Sequence, residues 1–119
     1  SYKNSIDYIT GLIMDQSCGG IVIYLDNEVA GFATFGYDTE FHNERFGYLM
    51  KFYVRKQYRG TGVGRKLIEE ITKWFDANNC IESFTTSTAA IGEDQQYVNL
   101  LRKYGYSECG RTLKRGIHV

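Results

Sequence analysis

No proline occurs anywhere in the chain, and nothing functional follows from that. An excess of either charge is also missing: Lys+Arg and Asp+Glu are both 14, for a formal net charge of +0. A neutral chain offers no overall electrostatic case for nucleic acid or an anionic membrane as partner. No apolar run approaches the ~18 residues that suggest a membrane span, and the opening residues carry no signal-peptide pattern. Cysteine is sparse, with Cys18, Cys80 and Cys109 widely spaced and no CxxC pair. With His42 and His118 as the only histidines, a clustered metal site is not expected. Free thiols in a reducing cytosol are the simpler reading, so a cytoplasmic protein is expected.

What remains is an ordinary globular composition, 43% hydrophobic and 24% charged over 119 residues, enough for one compact domain with one core. Ile6, Ile9, Ile13 and Met14 fall at helical spacing and predict a helix over 5–16 with Ser5 as N-cap, broken by Gly19-Gly20. "IVIYL" (21–25) and "EVAGFATFGY" (28–37), joined by Asp26-Asn27, read as a β-hairpin. A polar turn follows at 38–45. "FGYLMKFYV" (46–54) then reads as a central strand buried on both faces. Val63, Leu67, Ile68, Ile71, Trp74 and Phe75 keep a 3.6-residue period opposite Lys66, Glu69, Glu70 and Lys73, with Glu69 and Lys73 spaced as an i,i+4 pair. A strand is predicted over 81–88, a second helix over 93–105 stopped by Gly105, and a last strand over 106–116. The expectation is a single α/β domain over 1–119, a mixed sheet of about five to six strands with helices on both faces.

Between the long strand and the first strong helix stands "YVRKQYRGTGVGRKL" (53–67), with glycine at alternate positions 60, 62 and 64. A glycine-rich turn that opens a helix presents unpaired N–H groups and the positive end of the helix dipole, a natural anion site. Arg59, Arg65 and Lys66 add local positive charge. The triphosphate-loop pattern G-x-x-x-x-G-K-[ST] fails, because Gly64 is followed by Arg65. The dinucleotide pattern G-x-G-x-x-G fails as well, its third glycine arriving one residue early. The plain alternative, a tight strand-to-helix turn, leaves the flanking arginines unexplained.

The pattern left standing is R-x-x-G-x-G, carried by Arg59, Gly62 and Gly64. It resembles the acyl-CoA-binding motif of the GNAT N-acetyltransferase family, and "FYVRKQYRGTGVGRKLIEEI" is similar to that family across strand, loop and helix. The likeness extends from residue 20 to about 107. It implies a GNAT-like fold with a shortened N-terminal part, either a minimal version or a trimmed one. It also implies acetyl-CoA as cosubstrate, with the pyrophosphate on the amides of Gly60, Thr61, Gly62, Val63, Gly64 and Arg65, and the pantetheine arm along Phe52, Tyr53 and Val54 like an added strand. The position of the family's helix asparagine falls at Gln95. The implied activity is acetyl transfer to an amine, a protein lysine or a small molecule, by direct attack in a ternary complex. A reduced acceptor wall suits a large exposed substrate or a site completed by a second subunit in a homodimer.

The catalytic residues are less legible. The family's oxyanion donor is a backbone N–H of the central strand, which Phe52 or Tyr53 would supply. Its tyrosine acid has Leu101 at the matching position, so Tyr97 or Tyr104 is left as acid, each equally readable as a core tyrosine. No carboxylate stands on the central strand; His42 or Glu44 in the preceding loop is the candidate base, and a solvated hairpin loop is the other reading. The second functional reading is a CoA-binding sensor or scaffold with impaired catalysis.

Overall fold

In the computed structural model, residues 5–8, 17–86, 95–110 and 113–116 are described below. The chain divides into two compact units, Ser1–Thr85 and Thr86–Val119. The first unit holds a five-stranded sheet in the order β1-β2-β3-β4-β5, with β1 at Ser5–Tyr8, β2 at Cys18–Leu25, β3 at Glu28–Thr39, β4 at Arg45–Val54 and β5 at Cys80–Thr85. The first four strands are antiparallel neighbours, and β5 runs parallel to β4. Helix α1 spans Val63–Ala77 and connects β4 to β5. A parallel neighbour requires such a crossover, because the chain must return to the same end of the sheet.

The β2–β3 hairpin forms as expected. Asp26 and Asn27 both take positive φ, 50° and 64°, the backbone that a two-residue turn between twisted strands requires. The start differs from expectation: Ser5–Tyr8 is a strand paired with β2, Ile6 opposite Ile23, and the rest of the predicted helix lies outside the described residues. The period-3.6 pattern was real in the letters, but ladder bonds to an apolar strand outweigh so short a propensity signal. Gly19-Gly20 breaks nothing either. Both sit inside β2, where Gly19 makes room for the Phe35 ring.

The core is the layer between α1 and the sheet. Val63, Leu67, Ile68, Ile71 and Phe75 of α1 are buried, as are Ile21, Ile23, Ala33, Phe35 and Leu49 beneath them. Each large side chain removed from water contributes about 2 kcal/mol, so α1 is held mainly by this face. Gly31 and Gly47 let the helix come close: a Cβ at Gly31 would meet Val63 Cγ1 at 2.9 Å, and one at Gly47 would meet the Phe75 ring at 2.6 Å. Phe35 packs edge-on against Trp74, centroids 4.9 Å apart. On the solvent side Glu70 pairs with both Lys66 (3.1 Å) and Lys73 (3.6 Å), so the expected Glu69–Lys73 pair is replaced by Glu70 at the centre of two.

In the second unit α2 spans Gln95–Lys103, with Leu101 buried. It ends as Gly105 predicts: Tyr106 N–H donates to Leu101 O (3.1 Å) and Gly105 N–H to Arg102 O (3.2 Å). The predicted last strand is not found. Residues 106–110 and 113–116 carry no strand, and the residues described there are mostly exposed. An apolar pattern makes a strand only where an edge is there to receive it.

Candidate functional site

β4 is built in two halves. From Arg45 to Leu49 it lies between β3 and β5, and the ladder with β5 ends at Leu49 opposite Thr85. From there β4 runs on past the end of β5 to Val54, paired with β3 as far as Val54 opposite Gly31. The two strands therefore fork at Leu49. At the same place the β3 register slips: Thr34 faces Lys51, yet Phe35 faces Leu49, leaving Met50 as an extra residue. A bulge of this kind re-aims a strand and ends regular pairing. It also puts Leu49 and Phe52 on one face although they are an odd number of residues apart. The expectation of a strand buried on both faces fails here, since Met50 and Tyr53 are 53% and 43% exposed.

The bulge was missed in the sequence, yet a trace of it is readable. The core-facing set Gly47 and Leu49 alternates, then resumes out of phase at Phe52 and Val54, with Lys51 in between. A period of two that changes phase inside one strand requires an extra residue.

The far half of β4 leads directly into the glycine loop. A single 3₁₀ turn at Lys56–Tyr58 separates them, and Arg59 Nε donates back to Val54 O at 3.1 Å. Gly60 has φ 79° and Gly62, the N-cap of α1, has φ 93°. These are left-handed conformations that favour glycine. The Thr61 hydroxyl and N–H both donate to Tyr58 O, so the turn is closed internally. No side chain caps α1, and its first backbone bond is Lys66 N–H to Gly62 O at 3.0 Å. The amides of Val63, Gly64 and Arg65 precede that bond and sit at the positive end of the helix. Gly64 inside the first turn costs about 1 kcal/mol relative to alanine.

The three basic residues are not equivalent. Arg59 is engaged with Val54 O, and Lys66 with Glu70, whose hydrogen bond raises the lysine pKa. Arg65 is exposed and, among the described residues, enters no ion pair. Of the sequence-predicted cofactor residues, Phe52, Tyr53, Val54 and Arg59 to Arg65 are thus continuous in space, joining strand, turn and helix start.

The loop is also tied to the hairpin. Glu28, first residue of β3, accepts hydrogen bonds from Tyr58 Oη (2.5 Å) and Gln57 Nε2 (3.1 Å). The bond from Tyr58 to this carboxylate is the leading cause of the raised tyrosine pKa. Arg55 adds Nε to Val29 O (2.9 Å) and N–H to Ala30 O (2.8 Å). Glu28→Ala is expected to weaken coenzyme A binding severalfold by loosening the turn, and Glu28→Gln, which keeps an acceptor, to restore most of it. Titration calorimetry on both variants checks this; equal affinities would show that the anchor is irrelevant to the loop.

On the sheet face opposite α1, a groove of about 320 Å³ is lined by Glu40, Phe41, Glu44, Phe46, Tyr48 and Phe84. Phe84 stacks on Tyr48 with centroids 5.8 Å apart, and lies 6.4 Å from Phe46. The loop above it is a short 3₁₀ turn at Phe41–Asn43, closed by Glu40 N–H to Glu44 O at 2.7 Å. Glu44 therefore lines the groove, whereas His42, with φ 59°, is exposed at the turn and is not among the lining residues.

Gln95, Tyr97 and Tyr104 belong to the second unit. Gln95 Nε2 donates to Asn99 Oδ1 at 2.7 Å, and both tyrosines are half-buried there. Leu101 serves the core and the helix end. The cysteines described, Cys18, Cys80 and Cys109, form no disulfide, and burial pushes the Cys80 thiol pKa up. Among the described residues no helix is long and apolar enough to cross a membrane.

A mixed sheet that forks beside a strand bulge, with a glycine loop opening the next helix, defines an acyl-CoA transferase type of fold. The Acetyltransferase (GNAT) family profile matches residues 2–106, and the chain belongs to that family. Solved structures agree on the fold. An aminoglycoside acetyltransferase from an uncultured soil metagenomic sample superposes with TM-score 0.77 at 20% identity, covering 90% of this chain and 70% of that one. An acetyltransferase of Trypanosoma brucei gives 0.73 at 17% identity, over 85% and 70% of the two chains. An aminoglycoside N-acetyltransferase solved with CoA gives 0.69 at 17% identity, over 88% and 70%. No curated protein matches the sequence.

Proposed function

We propose that the chain is an acetyl-CoA-dependent N-acetyltransferase that moves an acetyl group to an amine by direct attack in a ternary complex. The observation that carries this reading is the continuity of forked strand, bulge and glycine loop. In this reading the amides of Gly60 to Arg65 hold the pyrophosphate, with Arg65 as its cation, and the pantetheine arm follows β4 along Phe52, Tyr53 and Val54. The thioester then lies at the fork. The donor to the tetrahedral oxyanion is a backbone amide of β4, that of Phe52 or Tyr53, beside the Met50 bulge where regular pairing is interrupted.

Of the two candidate bases Glu44 lines the groove and His42 does not; Glu44 stands five residues before the fork, so it would act there through a chain of water. Tyr97 and Tyr104 remain the candidates for protonating the departing thiolate. A thiol with an ordinary pKa near ~8.5 is a fair leaving group, so catalysis does not depend on that acid.

The scaffold reading is favoured by Leu101, which stands where a phenolic acid is expected, and by Lys51 in place of a strand carboxylate. Calorimetry with coenzyme A followed by thiol release from acetyl-CoA across an amine panel separates the two. Binding with turnover supports the enzyme; binding without turnover supports the scaffold; absence of binding removes both.

A further inference from the structure

A strand that kept its alternation would put Lys51 on the same face as Leu49, against α1. The bulge prevents this. Leu49 is buried beneath α1, and Phe52 stands opposite Ala33, which is buried on that same face. Met50 and Lys51, between them, both turn to the other face, where the ring of Phe32 meets that of Tyr53. Lys51 is exposed there opposite Thr34, two residues past the last β4–β5 pair at Leu49. We propose that Lys51 reads the acceptor: the attacking amine carries a carboxylate a few bonds from its nitrogen, as an α- or β-amino acid does, and the Lys51 ammonium pairs with that carboxylate. This rests on the acetyl-transfer reading above.

Reach is the first argument. Two residues of strand span ~7 Å, a distance that the four-carbon stem of a lysine covers. The fork, where the thioester is delivered, is therefore within range of the ammonium. The coenzyme phosphates are not. Val54 is three residues, or ~10 Å, further along β4, and the glycine loop then starts α1 on the opposite face, with Val63 beside Gly31.

Availability is the second. Met50 lies across β3, its Cε 3.6 Å from where a Cβ on Gly36 would stand. Lys51 makes neither a side-chain hydrogen bond nor an ion pair among the described residues. The acids that the sheet places on this face toward the hairpin, Asp38 and Glu82, both stand opposite Phe46. That rung is four residues of β3 away from Thr34, or ~13 Å, too far for an ion pair.

Charge is the third. A carboxylate on the acceptor meets attraction beside Lys51, and a second ammonium meets repulsion, so discrimination has an opposing part as well as a favourable one. In the reaction the paired amino acid first loses a proton from its ammonium to water. Its nitrogen then forms a C–N bond with the acetyl carbon, the C–S bond breaks, and the sulfur leaves with the electron pair and takes up a proton.

The test uses the full chain with acetyl-CoA and matched acceptors that differ by one carboxylate: L-phenylalanine with 2-phenylethylamine, and β-alanine with ethylamine. Kanamycin serves as a polycationic acceptor. The proposal expects the acid of at least one pair to have the higher kcat/KM, by about fivefold, the upper size of one exposed ion pair. Lys51→Met should bring that ratio to about one, Lys51→Glu should invert it, and Lys51→Arg should keep it, all with the affinity for coenzyme A unchanged. A lysine that only guards an exposed strand edge would leave the ratio as it is in every variant, and that result overturns the proposal. Equal or better turnover of the plain amines or of kanamycin by the parent chain overturns it too, while leaving the acetyl-transfer reading standing. Coenzyme A binding with no turnover of any acceptor, or no binding at all, overturns both.

Discussion

Charge reversal at Arg65 is expected to weaken coenzyme A binding about tenfold or more, because a charge-assisted contact at a helix start is exchanged for repulsion. The argument is geometric. Arg59 is engaged with Val54 O and Lys66 with Glu70, whereas Arg65 makes neither a side-chain hydrogen bond nor an ion pair among the described residues. Lys66→Met should therefore cost much less than Arg65→Glu, although the two positions are adjacent. Calorimetry at low and high salt gives a further readout, since an exposed charge contact is screened and the difference between the variants should shrink as salt rises. Equal affinity in parent and Arg65→Glu at low salt would remove the loop from the binding site.

The second large effect is on stability. Gly31→Ala is expected to destabilise the fold by about 2–3 kcal/mol, the range for overpacking a tight site. A Cβ there would lie 2.8 Å from Tyr53 O, 2.9 Å from Val63 Cγ1 and 3.3 Å from Leu67 Cδ1. One neighbour is backbone of β4 and the others are buried residues of α1, so no contact is relieved by rotating a free side chain. The same displacement would push the far half of β4 away from the helix start. Coenzyme A affinity should therefore fall together with the melting temperature. Gly116→Ala is the control: nothing lies within 4 Å of its Cβ position and its backbone is not left-handed, so no measurable change is expected. Denaturant melts on both variants decide the matter, and a Gly31→Ala protein as stable as Gly116→Ala would contradict the packing described.

Local features were readable in the letters wherever the physics is local. The period of α1 named its buried face residue by residue, since a helix that covers a sheet must keep its apolar positions on one side. Asp26-Asn27 named the hairpin turn, and Gly105 the end of α2, because few residues accept those backbone angles. The alternate glycines and their arginines identified the loop, and with it the family. Failures came where neighbours decide. Ser5–Tyr8 became a strand because β2 offers it an edge; the described residues 106–110 and 113–116 did not, though their composition allowed it. The pairing of Glu70 rather than Glu69 with Lys73 depends on side-chain reach around the helix.

The site divides along the same line. From residues alone came the glycine loop, the strand beside it and the family resemblance, because glycine spacing and helix polarity act over a few residues. The fork at Leu49, the extra residue at Met50, the unequal availability of Arg59, Arg65 and Lys66, and the meeting of Glu44 with Phe84 came from packing. Phe84 is forty residues from Glu44, and they share a groove because a crossover helix returns the chain parallel to β4. Contacts that distant in the chain are set by how the sheet closes, and no short stretch of letters encodes them.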